Sequence, residues 1–508
     1  MNGEKKAILA VDIGTTSTKT LAVDLSGRIL SRRSISYPLH TPRPGYAEQD
    51  PDVIREAVLD GIAGTVREAR LAPGDVLCVS FSSANHSLIP MDGHGNPLMS
   101  MITWADLRSV AQAERLKQSG AGLANYLRTG TPIHPMSPLS KLIWLREERP
   151  DLFAASRFFI GIKEFVLHRL FGEYVTDFSM AGGTGLFSVD SLTWDPQALE
   201  LAGAREDQLP RLAPTTEILS GLRRETADRL GLSVNTPFVL GAQDGVLANL
   251  GIGAVEDGVW AVTIGTSSAV RGAVPKPFLE PEGRLFCYAL TRDLWIAGGP
   301  SNNGAIVAQW ITERLFPGRA LEDVLPLAED VPAGADGLLF LPLLSGERAP
   351  FWDARAKGVL FGLTLSHKET HMLRAAMEGV LFQIAAIAGL MERSGGKARE
   401  IRASGGFARS ALWCRMLADM LGVPVRVPES VESSGLGAAQ LGLYAMNGEQ
   451  GPLWRWRDAG GAVYEPDPAP SAVYRDMLPF YLDLYERLKE PMSTADRLRS
   501  SAALRNHA

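Results

Sequence analysis

One eight-residue pattern occurs in two versions half a chain apart, and it constrains the fold more than any other feature. Ala10-Val11-Asp12-Ile13-Gly14-Thr15-Thr16-Ser17 lines up with Ala261-Val262-Thr263-Ile264-Gly265-Thr266-Ser267-Ser268, and Ala22-Val23 keeps step with Ala273-Val274. Each copy reads as an apolar strand, a turn rich in Gly and hydroxyls, and a second strand. The period is far longer than the ~20–50 residues of a solenoid repeat. It predicts two duplicated domains: 1–250, then 251–490, with the boundary inside Leu247–Asp257 and a terminal tail over 491–508. A chain of 508 residues accommodates two large domains.

Strands and helical patterns alternate around these repeats. Residues 52–70 carry Val53, Ala57, Leu59, Ile62 and Val66 at helical spacing, and Asp75–Ser82 reads as a buried strand. Helical patterns follow near 106–117, 138–148 and 151–170. In the second half, strands near 284–290 and 294–297 precede a helix opened by Pro300–Gly304. Ser366-x-x-Glu369 has the form of a capping box at the head of a long apolar helix toward Met391. Glu400–Ala403 reads as a strand, 410–421 as a helix, and the last twenty residues as a loosely docked terminal helix. Such alternation predicts an α/β protein with ligand loops at strand ends.

Composition excludes several classes. Lys plus Arg number 51 against 57 Asp plus Glu, a formal charge of −6, so no basic stripe marks a nucleic-acid binder. Cys78, Cys287 and Cys414 are widely spaced and odd in number, which argues against a disulfide framework or a zinc site and for a reducing, cytoplasmic setting. The apolar run Gly379–Met391 is interrupted by Gln383 and is shorter than a membrane span; the first residues lack a signal-peptide core.

Neither a P-loop nor a strand-linked G-x-G-x-x-G is present. In their place stand three turns after apolar strands: Gly14–Ser17, Gly265–Ser268 and Ser404-Gly405-Gly406. Glycine admits close approach of the backbone to an anion, and backbone N–H groups and hydroxyls donate to phosphate oxygens. Any one of them alone reads equally as a ligand-free hairpin; together they point to a polyphosphate. Asp12 sits directly before the first turn, where a carboxylate near phosphate calls for Mg²⁺, held through water. Its counterpart in the second copy is Thr263. Lys19, just past the turn, reads as a solvated hairpin lysine. Asp244, in Gly241–Gly245, is either a general base for a hydroxyl nucleophile or a turn residue capping the next helix. Asn85, His86, Trp104, Asp106, Arg108 and His134 offer donors, acceptors and an aromatic wall to a polyol, although each alone is as readily a packing residue. His367-x-Glu369-x-His371 lacks a third ligand and carries little weight as a metal site.

Two long stretches are similar to the patterns of the FGGY carbohydrate kinases: Met136-Ser137-Pro138-Leu139-Ser140-Lys141-Leu142-Ile143-Trp144-Leu145-Arg146-Glu147-Glu148, and Gly358–Leu363 with His371–Glu378. Within that family Ser82–Ile89, Ile102–Asp106, Arg128–Pro138 and Gly161–Glu164 look most like the gluconate kinases. The resemblance implies two actin-like, ribonuclease-H-type domains around a cleft, and phosphorylation of a sugar acid, D-gluconate, by ATP with Mg²⁺. It implies Asp244 as the base, with Asp12 and Asp244 toward Mg²⁺. Thr15, Thr16, Ser17, Gly265 and Thr266 would meet the phosphates, and Gly304, Gln309, Gly405, Gly406 and Ser410 the adenosine side. Asn85, His86, Trp104, Asp106, His134, Lys163 and Asp244 would surround the acceptor, with His86 or Lys163 expected at its carboxylate and Arg108 ranked lower. The partners implied are the sugar or sugar acid and ATP, with a second copy of the chain as a further partner. The alternatives are a xylulose or other pentulose or polyol kinase and, in another class, an actin-like chaperone or filament protein.

Overall fold

The computed structural model describes residues 6–429, 432–454, 456 and 460–506. The chain forms two compact α/β units: Met1–Val255 with Ala273–Ala297 and Glu432–Arg457, and Glu256–Gly272 with Gly298–Val431 and Asp458–Ala508.

In the first unit six strands lie in the order Ile218–Leu219, Phe238–Gln243, Val76–Ser83, Ala7–Ile13, Ser17–Asp24, Ile29–Ser36. Ala7–Ile13 is apolar at nearly every position because both of its faces are covered. Successive side chains of a strand point to opposite faces. Leu9, Val11 and Ile13 therefore share one core with Ile54, Val58 and Ile62 of the helix Pro51–Glu68. Ile8 and Ala10 share the other with Leu247 and Leu250 of Asp244–Gly251 and with Ala438 and Ala439 of Ser433–Met446. Asp12 continues this second face, at the carboxyl end of the strand.

In the second unit the strands Ser268–Val274, Val259–Ile264, Glu400–Ser404, Val425–Arg426 and Val463–Tyr464 lie side by side in that order. Val259–Ile264 pairs antiparallel with Ser268–Val274 and parallel with Glu400–Ser404. Ala7–Ile13 likewise pairs antiparallel with Ser17–Asp24 and parallel with Val76–Ser83. The echo in sequence is thus an echo in topology, and it reaches single residues: Asp12 lies opposite Ser82, and Thr263 opposite Ser404. The stretch Glu369–Arg393 is long and apolar enough to cross a membrane, but 94% of its most apolar window is buried, so it serves as a core helix.

Several local expectations are corrected. Residues 151–170 are not one helix: Pro150–Ala155 is followed by the strand Phe158–Ile160, paired antiparallel with Ile89–Met91, and then by Ile162–Phe171. The aromatic and β-branched run 158–160, closed by Gly161, gains more from a partner strand than from continuing the helix. The 106–117 pattern becomes Val110–Gln118, because Asp106 and Arg108 are tied to each other outside the helix. Ser366 does not cap the long helix; its hydroxyl meets Thr364 Oγ1 at 2.8 Å, and Lys368 N donates to His371 Nδ1 at 3.1 Å at the helix start. The final helix begins at Pro468 and runs to Asn506, anchored by the buried Tyr474, Tyr481 and Tyr485.

Candidate active site

Three parallel neighbours of the first sheet end together. Asp12 is in register with Ser82, and Ser83 with both Ile13 and Gln243, the residue before Asp244. Ligands of open α/β sheets gather beyond such carboxyl ends. A register shift between Val239 and Ala242 aims the last part of Phe238–Gln243. Gly241 sits there at φ +71°, where an added Cβ would come within 1.7 Å of Phe81 O, so only glycine fits. Asp244 then opens its helix, half-buried, with Oδ1 accepting from Gly245 N at 2.6 Å.

Asp12 Oδ1 accepts from Ser82 Oγ at 2.8 Å and Oδ2 from Ser434 Oγ at 2.7 Å. Two hydroxyls and no cation bond this carboxylate among the described residues; Lys19 instead meets Glu432 at 3.4 Å. In the second unit Thr263 Oγ1 takes the carboxylate's place, at 2.8 Å from Ser404 Oγ. The turn after Asp12 is held from outside. Gly14 N donates to Ser17 O at 3.0 Å, Tyr37 OH to Gly14 O at 2.6 Å, Gln49 Nε2 to Thr15 O at 2.8 Å, and Trp104 Nε1 to Thr15 Oγ1 at 2.7 Å.

The polyol candidates divide into two groups. His86 has φ +65°, and its Nδ1 lies 2.7 Å from Gly183 O. A carbonyl only accepts, so Nδ1 carries the proton and, in the neutral ring, Nε2 is an acceptor. His134 has the opposite tautomer, because its Nδ1 accepts from Met136 N at 3.1 Å. Asn85 Oδ1 accepts from His86 N at 2.6 Å, while its buried Nδ2 has no partner among the described residues. Asn85 borders a cavity of about 40 Å³ with Ser87, Glu164 and Thr176, room for about three waters and not for a sugar.

Asp106, Arg108 and Lys163 are corrected, because other partners consume them. Asp106 is fully buried, its carboxylate accepting from Ala47 N at 2.7 Å and from Arg108 Nε at 2.8 Å. The Arg108 side chain is 1% exposed, bonded to Glu48 at 2.6 Å and packed 4.0 Å over the Tyr46 ring. Lys163 is enclosed at 0% exposure, paired with Asp177 and donating to Leu240 O at 3.0 Å. Both cations are enclosed and already paired with carboxylates.

The second unit holds a pocket of about 500 Å³ beside its own Gly/Thr turn. Gly265, Thr266, Gly406 and Ser410 line one part, and Leu321, Leu325, Pro326, Phe407, Leu412 and Trp413 form apolar walls. A slot with donors at one end and apolar walls at the other suits a nucleoside carrying phosphate. Gly304 N donates to Thr266 O at 3.1 Å, and a Cβ on Gly304 would come within 2.6 Å of Gly265 O, so glycine lets the two loops touch. Ser410 Oγ accepts from Trp413 N at 3.3 Å and caps the helix Ala411–Leu421. Gln309 is exposed, bonded to Glu313 at 3.1 Å, and lines a neighbouring pocket that shares Leu321 and Glu322 with this one. Sequence reasoning missed the apolar walls, whose residues come from 321–326 and 407–413 and share no motif. It also missed Glu347, a fully buried carboxylate that accepts from Ser301 Oγ, Asn302 N and Gln383 Nε2, each at 2.8 Å, and from Asn303 Nδ2 at 3.0 Å. Burial pushes its carboxyl above the usual range. The Gly-Glu-Arg run after an apolar stretch was the available signal.

Two α/β units of matching topology, one ending in Asp12 and Asp244 and the other carrying a pocket of about 500 Å³, fit a class of enzyme that handles a phosphorylated nucleoside. Models of the FGGY family of carbohydrate kinases match residues 7–251 with the N-terminal domain and 260–446 with the C-terminal domain; the chain belongs to that family and is a carbohydrate kinase. It is 44% identical over 497 residues, 95% of this chain and 96% of the relative, to a gluconokinase of Bacillus subtilis (strain 168). It superposes on a ligand-bound xylulose kinase from Lactobacillus acidophilus with a TM-score of 0.92 at 35% identity, covering 96% of this chain and 99% of that one. A gluconate kinase from the same organism gives a TM-score of 0.91 at 35% identity, covering 95% and 98%.

Proposed function

We propose that this kinase transfers the γ-phosphoryl group of ATP to D-gluconate, giving 6-phospho-D-gluconate. The observation that carries the reading is the 44% identity to a gluconokinase along nearly the whole chain. In this reading the first unit holds the acceptor and the second the nucleotide. Asp244 takes the proton of the acceptor hydroxyl; that oxygen forms a bond to the γ-phosphorus as the bond to the bridging oxygen of ADP breaks. Thr15, Thr16 and Ser17 of the first unit, and Thr266 of the second, donate to phosphate oxygens, while Gly265 admits close approach of the backbone. His86, in the tautomer fixed by Gly183 O, accepts from a sugar hydroxyl, and His134 donates through Nε2. The acid end is read by neutral donors of this kind, since Lys163 and Arg108 are committed elsewhere.

Asp12 fits Mg²⁺ by its donor set: one carboxylate without a cation, steadied by two hydroxyls and placed before a phosphate-type turn. Mg²⁺ there would neutralise developing charge on the phosphates. A homodimer and a cytoplasmic setting belong to the same proposal, the latter supported by three buried free cysteines.

Xylulose is the second reading, favoured by the structural match to a xylulose kinase at the same 35% identity. A screen of ATP consumption over gluconate, xylulose, ribulose and glycerol decides between them. Gluconate is expected to give the highest kcat/KM by at least about tenfold; a preference for a neutral ketose refutes the assignment.

A further inference from the structure

Lys141 lies in the helix Pro138–Glu148 at 0% exposure. Its ammonium donates to the carbonyl of His86 and, at 2.8 Å, to the carbonyl of Thr103. It forms no ion pair among the described residues, because Asp106 is occupied by Arg108 and Ala47 N. A buried ammonium is costly, and an apolar side chain of equal length would pack there more cheaply.

The two carbonyls lie on the segments that carry the acceptor candidates. His86 holds a left-handed backbone, uncommon for a residue with a Cβ and kept only where its surroundings impose it. Three contacts do so: Lys141 on its carbonyl, Asn85 Oδ1 on its N–H, and Gly183 O on its ring. Thr103 precedes Trp104, whose indole reaches Thr15 in the phosphate-type turn. One ammonium thus fastens two loops that are separate in sequence.

We infer that Lys141 is a positioning residue for the acceptor, setting His86 and Trp104 in the geometry that binds the sugar without touching it. This rests on the proposed kinase reaction at the first unit. Burial pushes the Lys141 amine down to about 7, with Asp106 raising it and Arg108 lowering it.

The test compares wild type, Lys141→Met, His86→Ala and the double variant by steady-state kinetics with ATP. Lys141→Met is expected to raise KM for the acceptor about tenfold or more while KM for ATP stays within about twofold. His86→Ala should raise the acceptor KM about tenfold in wild type and less than about twofold beside Lys141→Met, since Lys141 acts through His86. Additive effects, or equal shifts for acceptor and ATP, overturn the inference. Lys141→Gln, which keeps N–H donors, replaces Lys141→Met if the latter does not fold, and failure of both to fold makes Lys141 structural and also overturns it. Turnover of a different acceptor refutes the gluconate reading alone, because the same comparison run with that acceptor still decides the role of Lys141. No turnover on any acceptor overturns both.

Discussion

Replacing Lys163 with Met separates a structural cation from a substrate-reading one. Lys163 and Asp177 both have side chains at 0% exposure. Removing one partner of a buried pair strands the other charge and costs about 3–5 kcal/mol. Asp177 would keep part of its solvation, since Oδ1 also accepts from Ser179 N and Met180 N, each at 3.0 Å, which favours the lower half of that range. Leu240 O loses its lysine donor as well, adding about 1 kcal/mol. The expected loss is therefore about 4–5 kcal/mol, measured by urea denaturation of wild type and Lys163→Met. Lys163→Met with Asp177→Asn should regain more than half of it, because the neutral amide oxygen still caps the helix at 178 while no charge remains buried. Kinetics on the folded fraction should show KM values for gluconate and for a neutral polyol changing alike. A loss below about 1 kcal/mol together with a defect confined to gluconate would refute this account and return Lys163 to the substrate carboxylate.

Asp244→Asn should keep ATP binding and lower kcat by about 10²–10⁴, as expected for a lost general base; more than a tenth of wild-type turnover removes Asp244 from that role. Gly406→Val should fold normally, since an added Cβ meets nothing nearer than Arg409 Nη2 at 3.7 Å, and its bulk should raise KM for ATP about tenfold with the acceptor KM unchanged; movement of the acceptor KM alone would argue against a nucleotide in that pocket. Lys141, lowered from 10.5 to about 7, binds its proton less well in the folded state. Its contribution is therefore lost as pH falls through 7 and grows as pH rises toward 10.5, and between pH 7 and 8.5 it should raise stability by about 2 kcal/mol. Denaturation of wild type against Lys141→Met checks the sign, within a window kept below the ordinary thiol range because Cys78 and Cys287, pushed up to about 12, act oppositely above it. A wild-type curve parallel to that of the variant would refute it.

The sequence by itself determined what depends on near neighbours and on period. The alternation Leu9, Val11, Ile13 against Ile8, Ala10 made a strand covered on both faces, and Asp12 followed on the second of them. The Gly/Thr turns, and the recurrence of strand, turn and strand 251 residues later, announced two related units before any contact was known. The places of Asp12 and Asp244 at the ends of apolar strands were legible, because an acid following an apolar run is a local signal. Tertiary structure decided the partners of charges. Lys163, Arg108 and Asp106 stood in the stretches most suggestive of an acceptor site, yet each is held by a group that folding brings to it, such as Asp177, Glu48 and the backbone of Ala47. Lys141 and Glu347 went unread for the same reason: the carbonyls on Lys141 come from 55 and 38 residues away, and Gln383 reaches Glu347 from 36. Periodicity tells which way a side chain points, but a buried charge is solvated by whatever the fold places around it, and that is a property of the packed chain and not of any segment.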